Sequence, residues 1–289
     1  MVKEKLCGSG LAADFFHDGS GRPRPTVIML GGSEGGKFWS RPKRLLQAFM
    51  ARQYNVLSLA YFKANGLPDS LQEIPLEYFA RAIAALDCRP EVACGDYALI
   101  GASKGAEAAL LLGCYYDRVA AVVALSPSSV VWQGIPKNRL NFNAEVKSSW
   151  RYQGQPLPYL ATPFSKRDLW ALLSLRLRKI GERALVDEEA VRRAAIPAEK
   201  VQGPILLISA SKDAVWPSTA MAADVLSRLE RREFVYPYKH IAYDTGHNGL
   251  IRNKEAWRQV FDFLEKNFRL DSWDKDEDNP QQETVYATG

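Results

Sequence analysis

Residues Tyr97–Ile100 form a short, almost wholly apolar run that passes directly into Gly101-Ala102-Ser103-Lys104-Gly105. The following AEAALLLG offers the small and straight-chain residues of a helix. A strand that is apolar on both faces belongs inside a parallel sheet covered on both sides. The turn narrows the choice further. A serine at the apex of a sharp strand-to-helix turn leaves no room for side chains two positions either side, and glycines occupy both places. Strand, G-x-S-x-G and helix in that order make Ser103 a candidate nucleophile, the alternative being a plain turn between strand and helix.

Other runs of the same kind flank it. Thr26–Leu30, Asn55–Ala60, Val119–Leu125 and Pro204–Ser209 read as buried strands. Helices are expected over Pro42–Arg52, Leu76–Leu86, Ala220–Leu229 and Glu255–Phe268, and a last strand over Glu233–Tyr238 and its neighbours. In Leu76–Leu86 the apolar residues Leu76, Phe79, Ala82, Ile83 and Leu86 fall at helical spacing. Residues 1–25 are mixed, with material for a strand or two at a sheet edge. Strands alternating with helices predict a mostly parallel, doubly wound sheet in one domain. With 47% hydrophobic residues the chain has ample material for its core.

The pattern changes between about residues 131 and 200. This stretch carries thirteen Lys/Arg against seven Asp/Glu from Lys137 to Lys200, so it is locally basic. Ser165–Arg183 reads as one helix with Leu169, Leu173, Leu177 and Ile180 on a stripe and Arg176, Lys179 and Arg183 along its border. A helical insertion here is placed to act as a lid over the carboxyl end of the sheet, where ligands bind in such folds. Its basic border is a candidate contact for an anionic ligand, with a solvated helix face as the alternative. The tail from 271 to 289 holds six acidic residues against Lys275 and few large apolar ones, and is expected to contribute nothing to the fold.

The net charge of +5 is ordinary for a solvated surface, and the basic residues form no recognised nucleic-acid motif. Cys7, Cys88, Cys94 and Cys114 show neither a C-x-x-C pair nor disulfide-framework spacing. No run is long enough to span a bilayer, and the first residues lack a signal peptide's apolar stretch. A cytoplasmic protein without metal or other cofactor is the expectation, acting on a small molecule.

A serine hydroxyl needs a base to take its proton, and the chain has three histidines. His17 precedes the core strands and His240 falls in or beside the last strand. His247 stands beyond that strand, in Asp244-Thr245-Gly246-His247-Asn248-Gly249, and is the candidate base. A carboxylate should orient the imidazole and stabilise its charged form. Asp213, just past Pro204–Ser209, is the candidate, ahead of Asp244. Gly31-Gly32-Ser33-Glu34-Gly35-Gly36 follows an early strand without P-loop or dinucleotide-binding spacing. Backbone N–H groups of Gly32, Ser33 and Glu34, with that of Lys104, are therefore candidates for an oxyanion hole.

Six stretches together resemble one family: GGSEGG (31–36), LSLAYF (57–62) with IPLEYF (74–79), LIGASKGAE (99–107), GPILLISASKDAVWPS (203–218) and YDTGHNG (243–249). The family is the C-terminal domain of acyl-CoA thioester hydrolases and bile acid-CoA:amino acid N-acyltransferases. The resemblance implies an α/β-hydrolase fold, ester or thioester substrates attacked through an acyl-enzyme, and Ser103, Asp213 and His247 as nucleophile, acid and base. It also implies that serine rather than cysteine at position 103 goes with hydrolysis rather than transfer to an amino acid. The region 131–200 matches the family poorly, so acyl-group preference does not carry over.

Overall fold

The computed structural model describes residues 1–6, 10–93, 95–138, 145–162, 168–174 and 176–268. In chain order its elements are β1 (Val2–Leu6), β2 (Ala12–His17), β3 (Thr26–Leu30), α1 (Lys43–Ala51), β4 (Asn55–Ala60), β5 (Ile74–Pro75) and α2 (Glu77–Asp87). Next come β6 (Tyr97–Ala102), α3 (Lys104–Tyr115) and β7 (Val119–Leu125). The insertion supplies β8 (Trp150–Tyr152), β9 (Gln155–Pro156), α4 (Leu169–Leu173), α5 (Arg178–Ala184) and α6 (Glu188–Ala194). The chain then returns to β10 (Ile205–Ala210), α7 (Ser218–Arg231), β11 (Tyr238–Tyr243) and α8 (Lys254–Asn267).

Eight strands form one sheet in the order β1-β2-β4-β3-β6-β7-β10-β11, while β5, β8 and β9 make a separate small sheet. The edge pairs β1–β2 and β2–β4 are antiparallel. Pairing from β4 through β3, β6, β7 and β10 to β11 is parallel throughout.

The apolar runs become strands because both of their faces are covered. In β6, Tyr97 and Leu99 point into a core shared with α2, α3 and α7, while Ala98, Ile100 and Ala102 point into the core under α1 and α8. On the second face, Phe49 of α1 packs edge-on against Phe261 of α8 at 4.9 Å and Trp257 at 6.2 Å. Helix α8 starts where Asn253 accepts the N–H groups of Glu255 and Ala256, a side-chain cap on otherwise unpaired donors.

Two expectations from the sequence need correction. The last strand is not Glu233–Tyr238: its pairing with β10 opens at Ile205–Tyr238 and runs to Tyr243. Helix α7 extends to Arg231, the Phe234 N–H folds back onto the Leu229 carbonyl, and Pro237 has no N–H for a ladder. As the edge strand, β11 is only partly covered, so it lacks the wholly apolar pattern that identified the others.

The second correction concerns Ser165–Arg183, which is not one helix. Among the described residues α4 ends at Leu173, and α5 begins anew where the Arg178 N–H donates to the Ala214 carbonyl beyond β10. The stripe divides with it: Ile180 is 2% exposed, whereas Leu169 and Leu173 are exposed. Residues 163–167 and 175, Cys7, Cys94 and the tail 271–289 lie outside the described residues.

Candidate active site

The turn between β6 and α3 is as tight as its glycines require. Ser103 has φ 56° and ψ −119°, a conformation costly for a residue with a side chain. A Cβ on Gly101 would strike the Gly105 carbonyl, and one on Gly105 would strike the carbonyls of Leu30 and Gly31. The strain is held by the ladder and the helix. The Ser103 N–H donates to the Leu125 carbonyl at 2.9 Å, and its own carbonyl accepts from Ala106 and Glu107.

Two loops at the same end of the sheet complete the arrangement. Past β11, His247 places Nε2 2.9 Å from Ser103 Oγ. Past β10, Asp213 Oδ2 lies 2.7 Å from His247 Nδ1. Asp213 Oδ1 accepts the N–H groups of Val215 at 2.8 Å and Trp216 at 3.2 Å, so the carboxylate is fixed from both sides. Burial pushes the Asp213 carboxyl up, but hydrogen bonding and charge from His247, with Ser218 and Val215, leave it below its ordinary 3.8. It therefore stays ionised and orients the ring with Nδ1 as donor and Nε2 facing the hydroxyl.

Two residues that sequence reasoning had not singled out support the imidazole. Ser126, at the end of β7 with φ 50°, donates its Oγ to the His247 carbonyl at 3.0 Å. The Trp216 indole lies perpendicular to the His247 ring, centroids 5.4 Å apart, and donates Nε1 to the Ser126 carbonyl. The positive φ of Ser126 had no sequence signal, and Trp216 was visible only as part of the resembling stretch.

The glycine-rich loop lies beside the serine, in a form that pattern alone did not foresee. The Gly32 N–H donates to Glu34 Oε1 at 2.7 Å, so a side-chain carboxylate covers one of the candidate oxyanion donors. Lys104 opens α3, where a first-turn N–H lacks an intrahelical acceptor. Gly32, Glu34, Ser103, Ser126 and His247 line a pocket of about 280 Å³ including its open mouth, with Leu125, Leu250 and Ile251 as its apolar wall.

The remaining candidates fall elsewhere. His240 lies within β11 with Nε2 2.7 Å from Ser209 Oγ, and burial lowers its pKa. Asp244 is exposed and pairs with Lys212 at 2.8 Å. Arg176, Lys179 and Arg183 are not among the residues lining the pocket, and Arg183 pairs with Asp168 at 2.8 Å. Arg178, passed over in the sequence, reaches the Asp213 carbonyl at 3.4 Å while pairing with Glu182. His17 joins Glu4 and Glu91, where the Arg89 guanidinium pairs with both carboxylates and supplies the balancing charge.

A doubly wound sheet with its central strand turning sharply through a serine into a helix is the α/β-hydrolase fold. Solved structures agree: an esterase from Pyrococcus furiosus superposes with a TM-score of 0.59 over 92% of this chain and 90% of its own, at 14% identity. The α/β hydrolase GrgF from Penicillium superposes at 0.58 over 92% and 97%, again at 14% identity. The chain belongs to the family described as BAAT / Acyl-CoA thioester hydrolase C terminal, which matches residues 74–250.

Among its relatives are mouse acyl-coenzyme A thioesterase 6, 29% identical over 77% of this chain and 48% of the relative, and human acyl-coenzyme A thioesterase 1, 25% identical over 78% and 49%. Mouse acyl-coenzyme A amino acid N-acyltransferase 1 is 30% identical over 75% and 46%. The chain spans about half the length of these curated relatives. Among the described residues no helix is long and apolar enough to cross a membrane.

Proposed function

We propose that this protein is a serine hydrolase that cleaves acyl thioesters or esters through an acyl-enzyme on Ser103. The observation that carries the reading is the continuous relay from Ser103 Oγ to His247 Nε2 and from His247 Nδ1 to Asp213. Oγ attacks the acyl carbonyl while Nε2 takes its proton, and the resulting imidazolium is stabilised by the Asp213 carboxylate. The tetrahedral oxyanion is held by the Lys104 N–H and the Gly32–Glu34 loop once the Glu34 carboxylate moves aside. The imidazolium then gives its proton to the departing thiolate or alkoxide. Water, deprotonated by the same nitrogen, attacks the acyl carbonyl, and the imidazolium returns that proton to Ser103 Oγ as the acid departs.

An acyl-CoA type of substrate draws its support from the thioesterase relatives. The apolar wall of Leu125, Leu250 and Ile251 suits an acyl group, and Arg176, Lys179 and Arg183 on the insertion are proposed to attract an anionic leaving group. Transfer is the second reading, favoured by the N-acyltransferase relative. Product analysis with and without amine acceptors separates the two, since only transfer gives an amide.

A fluorophosphonate probe followed by peptide mass mapping tests the assignment. Modification at Ser103, abolished in Ser103→Ala together with turnover of an activated acyl ester, is the expected result. Unchanged turnover in a folded Ser103→Ala protein would overturn it.

A further inference from the structure

Directly behind the nucleophile turn, a lysine and a glutamate are buried together. Lys104 is 3% exposed and Glu107 0%, one helical turn apart at the start of α3, with Nζ 2.9 Å from Glu107 Oε2. Burial pushes Glu107 up and Lys104 down, each opposed by the partner's charge. A buried pair of this kind is a weak source of stability, because desolvation offsets the attraction. Its value lies in what its remaining donors and acceptors hold.

Those reach across to the insertion. Glu107 Oε1 accepts the Trp132 backbone N–H at 3.1 Å and the Trp150 indole N–H at 2.7 Å. Lys104 Nζ donates to Ser149 Oγ at 2.6 Å and to the carbonyls of Gln133 at 3.3 Å and Trp132 at 3.4 Å. Both backbone groups of Trp132 are thus tied to the ion pair. Its indole N–H is buried without an acceptor among the described residues, so the ring is placed by its backbone and by stacking. It stacks on Trp216 at 6.3 Å and 9°, and Trp216 is the residue whose backbone N–H holds Asp213 and whose indole lies perpendicular to the His247 ring.

We propose that Lys104 and Glu107 are positioning residues: they anchor Trp132 of the insertion so that it backs Trp216 against the Asp213–His247 pair. The inference rests on the catalytic reading above. It makes the insertion a working wall of the site and gives Lys104 two duties, one through its backbone and one through its side chain.

Glu107→Gln keeps the shape and removes the charge. Lys104→Met/Glu107→Gln removes both charges, and serves if the single variant fails to fold. Each is compared with wild type for phosphonylation rate of Ser103 by a small fluorophosphonate, for near-ultraviolet circular dichroism of the stacked indoles, and for kcat and KM on a neutral ester. The expected result is a folded variant with an altered indole signal, phosphonylation slowed about ten- to a hundredfold, and a loss in kcat rather than KM. A folded variant with wild-type phosphonylation and kcat would overturn the proposal, as would a rate loss no larger than the loss of folded protein. Failure of the catalytic reading shows itself separately, as activity surviving in Ser103→Ala.

Discussion

The carboxylate of Glu34 accepts the Gly32 backbone N–H at 2.7 Å, on the wall of the pocket that also holds Ser103 and His247. An N–H engaged in this way does not serve a developing oxyanion until the carboxylate leaves. Glu34 is exposed, so its departure requires only side-chain rotation. Glu34→Ala removes the competitor. Phosphonylation of Ser103 is expected to accelerate about three- to tenfold, the equivalent of roughly 1 kcal/mol for one hydrogen bond. Time courses of probe labelling at matched concentration check this, and slower labelling would assign the carboxylate a supporting part in the reaction.

Asp213→Asn keeps the size of the side chain but forfeits the charge that stabilises the imidazolium and fixes its tautomer. A fall in kcat of about 10⁴ with little change in KM is expected from steady-state kinetics on an activated ester.

The same carboxylate has a consequence for stability against pH. A carboxyl held below its ordinary 3.8 in the folded protein contributes stability that is fully present above that value. The contribution is lost as pH falls through the lower folded-state value. Wild-type unfolding free energy should therefore drop more steeply than that of Asp213→Asn below about pH 4. Urea titrations across the acid range measure both slopes.

Gly105→Ala tests the turn without touching a reacting group. A methyl there meets the carbonyls of Leu30 and Gly31, which belong to β3 and its exit and have no side-chain freedom to yield. Destabilisation of about 3 kcal/mol or more is expected in urea unfolding. Activity should fall in step, since β3 leads into the loop carrying Gly32.

The space of about 280 Å³ beside Ser103 includes its open mouth, so the enclosed part of the pocket is smaller still. That enclosed part, walled by Leu125, Leu250 and Ile251, suits a compact acyl group. In a series of acyl-CoA thioesters and matched neutral esters, kcat/KM should be at least about tenfold higher for acyl groups of roughly two to six carbons than for long ones. In the same assay, replacing Arg176, Lys179 and Arg183 with glutamine should raise KM for acyl-CoA more than for the neutral esters, because only the former carries phosphates.

Much of this protein was legible in its sequence, for a local reason. Strands such as Thr26–Leu30, buried on both faces, are apolar along most of their length, and the Ser103 turn requires glycine at 101 and 105. The order of Ser103, Asp213 and His247 along the chain, each at or just beyond a strand end, was equally readable. Tertiary structure alone decided the rest. It joined Ser103 and His247, 144 positions apart, at hydrogen-bond distance. It set Glu34 over the Gly32 N–H, split the expected helix of the insertion, and buried Lys104 with Glu107 behind the turn. Each of these depends on side chains from distant segments meeting in space, and no periodicity along one segment records which partner will arrive there.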